Sequence, residues 1–346
     1  PGDSGGGGGG GDAPAPGLAR VEVDARDAQG WTAVAVAAGS GRVKLLRMLL
    51  RAGGSPYART SRTGRTPLMA AAQGGHAAAV QALVEHVASQ PAAEASEAAS
   101  AEAPPDAGGA GAGAAAEVEA VGGLAALLDA VDAQKVTALM LACKNGHALA
   151  VRTLLAARAS ASAVDISGHG ALEFAARKGS LEVARLLTKH SPLPAASQVA
   201  RALPIAARHA HVDLVRLLAG AGAPTQPHLM RAAASGDTEV LLTMIRAGAA
   251  SEPLAASEAM LSAACCGHRG AVALLLEAGA SVFAQDRYHG RTALALSAAR
   301  GHAGVVRSLL AAGAPVGVRD AGGESALQLA VSASHVAVVD ELLRGA

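Results

Sequence analysis

Aromatic side chains are nearly missing from this chain, whose 346 residues hold two Phe, two Tyr and one Trp. A large conventional core built round such rings is therefore excluded, and the stacking platforms that single-stranded nucleic acid needs are scarce. Cysteine is almost as rare. Three residues, an odd number without zinc-like C-x-x-C spacing, do not make a disulfide framework and fit a reducing compartment, read here as cytosol or nucleus. No apolar run approaches the ~18 residues of a membrane helix, and the opening PGDSGGGGGGG lacks the basic and apolar regions of a signal peptide. With Pro1 in place of Met, the chain reads as a fragment or a processed product.

Charge of one sign is also lacking: 29 basic against 28 acidic residues give +1, which selects no partner. Catalytic signatures are missing too. There is no G-x-S-x-G, no G-x-x-x-x-G-K-[ST], no H-E-x-x-H and no kinase H-R-D with a downstream D-F-G, so neither an enzyme nor a cofactor is expected.

What the chain does have is Ala, Leu and Val in a repeating arrangement. Residues 64–84 read GRTPLMAAAQGGHAAAVQALV. Thr66 is placed to accept a first-turn backbone N–H, and Pro67 stands at the first helical position, where its missing N–H does no harm. Leu68, Ala71 and Ala72 share a face, Gly75 permits a turn, and Val80, Leu83 and Val84 line a second helix. One such pair cannot bury its own apolar face, and copies at a fixed period imply a stacked solenoid.

The pattern T-P-L-x-x-A-A-x-x-G-H resembles the ankyrin repeat. The Thr position recurs as Thr32, Thr66, Thr137, Gly170, Arg201, Pro227, Glu258, Thr292 and Ser325, and the resemblance implies an all-α ankyrin-repeat solenoid of about nine helix pairs with short β-hairpin loops. Two intervals are irregular: 71 residues follow Thr66, and 26 precede Pro227. The expected layout is a Gly/Pro-rich tail over 1–17, two repeats over 18–87, an acidic low-complexity insertion over 88–123 and seven repeats over 124–346. The insertion carries six acids and no Lys or Arg, and reads either as a solvating linker or as a pseudo-ligand for a basic groove; an eroded repeat ending at Leu127 and Leu128 is the alternative. Repeats five to seven lack the D-x-x-G lead of a hairpin, so their fingers should be short. The His that the family commonly places three residues after the Thr is absent in every repeat, and the hydrogen bond it supplies should be absent too.

Six histidines, His76, His147, His211, His268, His302 and His335, share one register after the turn. Neighbouring repeats lie about 10 Å apart, too far to share a zinc held at ~2.0 Å, so a structural role is expected. Cys143 reads as core, and the vicinal Cys265 and Cys266 as small hydrophobes.

In ankyrin proteins, partners commonly meet the hairpin tips and the two residues after the Ala-Ala pair. Carried over, the resemblance points to Trp31; Arg62, Arg65 and Gln73; Lys144 and Asn145; His169, Arg177 and Lys178; Arg208 and His209; and Tyr288, His289, Arg291 and Arg300. Cys265, Cys266 and Glu324 fall at equivalent places. Eight of these residues are Lys or Arg and one is acidic. The implied function is a non-catalytic scaffold or adaptor that binds an acidic or phosphorylated protein segment, with Trp31 and Tyr288 as anchors. The runners-up are the regulatory arm of a longer enzyme such as a kinase, and a basic-groove nucleic-acid binder, the latter opposed by the shortage of aromatics.

Overall fold

The computed structural model describes residues 22–90, 123–189 and 196–345. Within them the chain is helical. It has no sheet and three isolated antiparallel bridges, Val164–Gly170, Gln285–Thr292 and Arg319–Ser325, so the expected β-hairpins are tight hydrogen-bonded loops. The 1–17 tail, and the 88–123 insertion apart from 88–90 and 123, lie outside the described residues.

The helices form pairs. In chain order they are α1 (Ala33–Gly39) with α2 (Val43–Arg51), α3 (Pro67–Gly74) with α4 (Ala77–Ala88), then α5 (Gly123–Leu128) alone, and α6 (Ala138–Asn145) with α7 (Ala148–Ala156). Next come α8 (Ala171–Lys178) with α9 (Leu181–Lys189), α10 (Ala196–Arg208) with α11 (Val212–Gly220), and α12 (Thr225–Ser235) with α13 (Thr238–Arg246). Last are α14 (Pro253–Cys266) with α15 (Arg269–Glu277), α16 (Ala293–Ala299) with α17 (Ala303–Ala311), and α18 (Ala326–Ser332) with α19 (Val336–Arg344).

Local chemistry sets where the first helix of a pair begins. Thr32, Thr66, Thr137, Thr292 and Ser325 each accept the backbone N–H three residues on, satisfying a donor that the helix leaves orphaned. The hydrogen bond expected to be missing from every repeat is present in two. Glu173 Oε2 accepts the Gly170 N–H at 2.9 Å, and Gln328 Oε1 accepts the Ser325 N–H at 2.9 Å, so an acid and an amide replace the imidazole; at Ser325 the returning hydroxyl bond completes a capping box, which Gly170 has no side chain to make.

First helices stack on first helices from α1 through α3, α6 and α8 to α10, and again from α12 through α14 and α16 to α18. Second helices form an unbroken outer layer from α2 to α19. Close approach in the inner layer rests on a small residue at one position, Ala38, Ala72, Cys143, Ala176, Ala207, Ala233, Ala264 and Ala298, all sealed from solvent. In the last pair that position is Val331, which is 58% exposed. At the other end Leu45 is 46% exposed, although its counterparts Ala79 and Ala150 are buried against the preceding pair. The outermost helices thus show apolar faces to solvent.

The inner layer breaks between α10 and α12. Here α10 packs on α13, the second helix of the next pair, while its approach to α12 is slight. The short interval before Pro227 is the cause, because residues 221–224 must join α11 to α12 directly. The fingers of pairs five to seven are not merely short. In the two whose lead is described, the chain enters the helix early: α12 and α14 have 11 and 14 residues where α1, α16 and α18 have 7, and α10 has 13. Arg201, Pro227 and Glu258, expected at helix starts, therefore lie inside helices, and Pro204 sits within α10. Nor does the 71-residue interval hold a full extra pair among the described residues. It ends in α5, whose Leu127 and Leu128 are buried and which packs on α4, while α6 stacks directly on α3.

Four of the six histidines form bonded rungs along the turns. His147 Nε2 lies 3.1 Å from the Gln73 carbonyl, and His268, His302 and His335 make the same contact with Ala234, Cys265 and Ala299 at 2.9, 3.1 and 3.2 Å. Each of these is a satisfied structural bond between neighbouring pairs. Burial pushes the Cys143 thiol well above its ordinary value, as suits a core side chain.

Because the α10–α13 junction lacks both hairpins and the regular inner contact, backbone hydrogen exchange should be fastest in α10 to α14 among helices away from the two ends. Equal protection from α6 through α17 would contradict this.

Candidate protein-binding groove

The edge that carries the hairpins is fastened by one acid in each of five of them. Asp27, Asp132, Asp165 and Asp320 turn a carboxylate oxygen back onto the N–H groups two and four residues on, and Asp286 onto those three and five on, at 2.8–3.0 Å. In the second hairpin the Thr60 hydroxyl takes the Arg65 N–H. Neighbouring hairpins bond to each other: Ala133 N–H to Thr63 O, Ile166 N–H to Gln134 O, and Ala321 N–H to His289 O. With no such hairpin at α12 and α14, the edge falls into two blocks, one on pairs one to four and one on pairs eight and nine.

In the first block, the second to fourth pairs surround a cleft of about 230 Å³. Its walls are Arg65, Gln134, Val136, Leu141, Lys144, Asp165, Ser167, His169, Phe174 and Arg177. Four expected site residues meet here: Arg65 from a hairpin, Lys144 and Arg177 from the ends of α6 and α8, and His169 from the hairpin between them. Arg65 is fixed, with Nη1 on Gln73 Oε1 at 2.6 Å and Nε 3.5 Å from Asp132. His169 Nδ1 lies 3.7 Å from Asp165 Oδ1, and its ring faces Phe174 at 6.3 Å. Lys144 and Arg177, by contrast, make no ion pair within the described residues, and nor do Lys178 and Arg208 beside them.

Other expected residues are placed differently. Gln73 and Asn145 are tied to each other, Asn145 Nδ2 donating to the Gln73 carbonyl at 2.9 Å. Trp31 lies at the first pair, lining an open cavity of about 780 Å³ with Val36, Leu45 and Met48 at the end of the stack. Arg62 is exposed on its hairpin, and His209 stacks on His211. In the second block Tyr288 is 90% exposed, His289 sits beside Asp286, and Arg291 is taken up by Asp320 at 2.9 Å; Arg300 is exposed at the end of α16. Phe174, Gln134, Asp165 and Ser167 were not singled out by sequence. A signal for Phe174 existed: it is one turn before Arg177 on the same helix face, and it is one of two Phe in the chain.

A scan against protein-family models matches ankyrin repeats (3 copies) at residues 16–94, 114–201 and 259–346. The chain belongs to the ankyrin repeat family. Ankyrin repeats generally mediate protein–protein interaction, and the family is typically non-catalytic. The unmatched stretch 202–258 covers the junction where the inner stack shifts and hairpins are missing, the features by which ankyrin repeats are recognised. No curated protein matches the chain closely enough to be named as a relative. Among the described residues no helix is long and apolar enough to cross a membrane, and no three His, Cys, Asp or Glu side chains gather as metal ligands.

Two hairpin carboxyls of the second block titrate below the ordinary range. At Asp320 the causes are the Arg291 guanidinium and the N–H groups of Glu324 and Gly322; at Asp286 burial acts upward, but the N–H groups of Arg291 and His289 outweigh it. A depressed folded value means stability that is present above the unfolded value, about pH 3.9, and is lost as pH falls through the folded one. Acidification from about pH 5 towards 2 should therefore loosen pairs eight and nine, seen as faster exchange in α16–α19. Asp320→Asn should flatten that dependence, and an unchanged acid response in the variant would contradict it.

Proposed function

We propose that this ankyrin protein is a non-catalytic scaffold or adaptor of the cytoplasm or nucleus, whose nine helix pairs are nine repeats and whose concave edge holds an acidic segment of another protein. On this reading 1–17 is a tail, 18–87 and 124–346 carry the repeats, and 88–123 is an acidic insertion. One observation carries the reading: Lys144, Arg177, Lys178 and Arg208 line up at the ends of three successive first helices without ionic partners of their own. Backbone N–H groups already cap the ends of α6 and α8. Cys143 O and Ala142 O of α6 accept the N–H groups of Gly146 and His147, and Ala175 O of α8 accepts those of Gly179 and Ser180. Cations left over from folding in this way are available to a ligand and steer an acidic one towards the groove.

The test is charge reversal of Arg177, Lys178 and Arg208 together, read by anisotropy of a fluorescein-labelled Glu-rich dodecapeptide. Circular dichroism should be unchanged while affinity falls at least tenfold and its salt dependence flattens. Binding that survives intact places the ligand on another face.

A further inference from the structure

The cleft between the second, third and fourth pairs is small and walled by ten side chains. At about 230 Å³ it has room for one side chain and too little for a helix or a strand. The charge within it is uneven. Arg65 is neutralised by Asp132, and Asp165 spends one oxygen on the N–H groups of Ser167 and His169. Lys144 and Arg177 make no ion pair among the described residues, and with the Asp165 carboxylate in the same wall the cleft keeps one positive charge in excess beyond the Arg65–Asp132 pair. Other groove cations that face an acid are paired with it, as Arg291 is with Asp320 and Arg201 with Glu173.

A single carboxylate brings one charge and two acceptor oxygens to these two cations. A phosphate monoester, carrying about −1.5 to −2 at neutral pH and three acceptor oxygens, can fill the guanidinium fork of Arg177 and still offer an oxygen to Lys144 as a point charge. Aromatic surface contributes little to the open wall: Phe174 is buried behind it, and the one other ring there is the half-buried His169 imidazole. We propose that this cleft is a receptor for a phosphorylated serine or threonine side chain of the partner, with Lys144 and Arg177 as its ligands and Arg65, held by Gln73, as its fixed rim. The inference rests on the acidic-segment reading and makes it specific: acids along the segment meet Lys178 and Arg208, and the phosphate anchors it.

The experiment uses the whole chain and oriented libraries of fluorescein-labelled nonapeptides whose central residue is phosphoserine, serine, glutamate or phosphotyrosine. The phosphoserine pool should bind about tenfold or more tighter than the glutamate pool, which in turn exceeds the serine pool. Arg177→Glu and Lys144→Glu should each bring the phosphoserine pool down to the level of the glutamate pool or below. Arg185→Glu, the same charge change on the outer helix of the fourth pair, should leave it unchanged. Equal binding of phosphoserine and glutamate overturns the phosphate site and leaves the acidic-segment reading standing; no preference of either over serine overturns both. A phosphotyrosine pool that binds tightest overturns the assignment to serine and threonine.

Discussion

Gly75→Ala lowers the stability of the array by about 3 kcal/mol, more than most exposed turn substitutions cost. Two terms add. Gly75 has φ +74°, a left-handed conformation that costs an L-residue about 1–2 kcal/mol. An added Cβ would also lie 2.5 Å from Nδ1 of His147 and 2.7 Å from its Cγ, so the ring must leave its seat and give up its bond to the Gln73 carbonyl. Gly267 stands in the same relation to His302, with Cβ 2.6 Å from Nδ1, and should behave alike. A double-mutant cycle separates the terms. In a His147→Ala background the glycine substitution should cost only the backbone term, about 1–2 kcal/mol. Urea unfolding followed through Trp31, the single tryptophan, reports the neighbouring first pair. The same loss with and without the imidazole would mean that the ring contact is not the cause.

Arg201→Met should be about as damaging, near 3 kcal/mol, although Arg201 is half exposed and looks dispensable. Its partner is the reason. The Glu173 side chain is 1% exposed, its Oε2 is used by the Gly170 N–H, and its Oε1 has Arg201 Nε at 3.0 Å as its charge partner without an aligned hydrogen bond. Removing the guanidinium leaves a buried carboxylate uncompensated, which costs far more than an exposed ion pair contributes. Adding Glu173→Gln should recover more than half of the loss, since an amide still accepts the Gly170 N–H and carries no charge. Thermal or urea unfolding of the three variants decides it; a double variant no more stable than Arg201→Met would show that lost packing of the Arg201 stem is responsible.

Rules acting within a few residues were enough to read the caps and the turns. A hydroxyl three residues before an amide, a glycine that can take positive φ and an apolar spacing of three and four place each pair, and the Thr66 to Val84 stretch shows all of them. The same rules misplaced the starts at Arg201, Pro227 and Glu258. With no hydroxyl there and no hairpin described at the last two, helix continued upstream, limited by Pro253 and the short turn at 221–224. Glu173 and Gln328 were read as lost imidazoles because only their identity was visible, whereas the bond requires an acceptor of the right reach and not a ring.

The sequence alone determined that this protein is a stack of helix pairs, and where the turns of the hairpin-bearing pairs fall, because both follow from a periodicity that local backbone chemistry enforces. Only the tertiary structure decided that Arg65, Arg201 and Arg291 are committed to acids while Lys144 and Arg177 are not, and that α10 meets α13. Those partners are roughly a repeat or more away in sequence, and ion pairing is settled by a few ångströms of side-chain reach across the interface between neighbouring pairs, a distance that no spacing along the chain encodes.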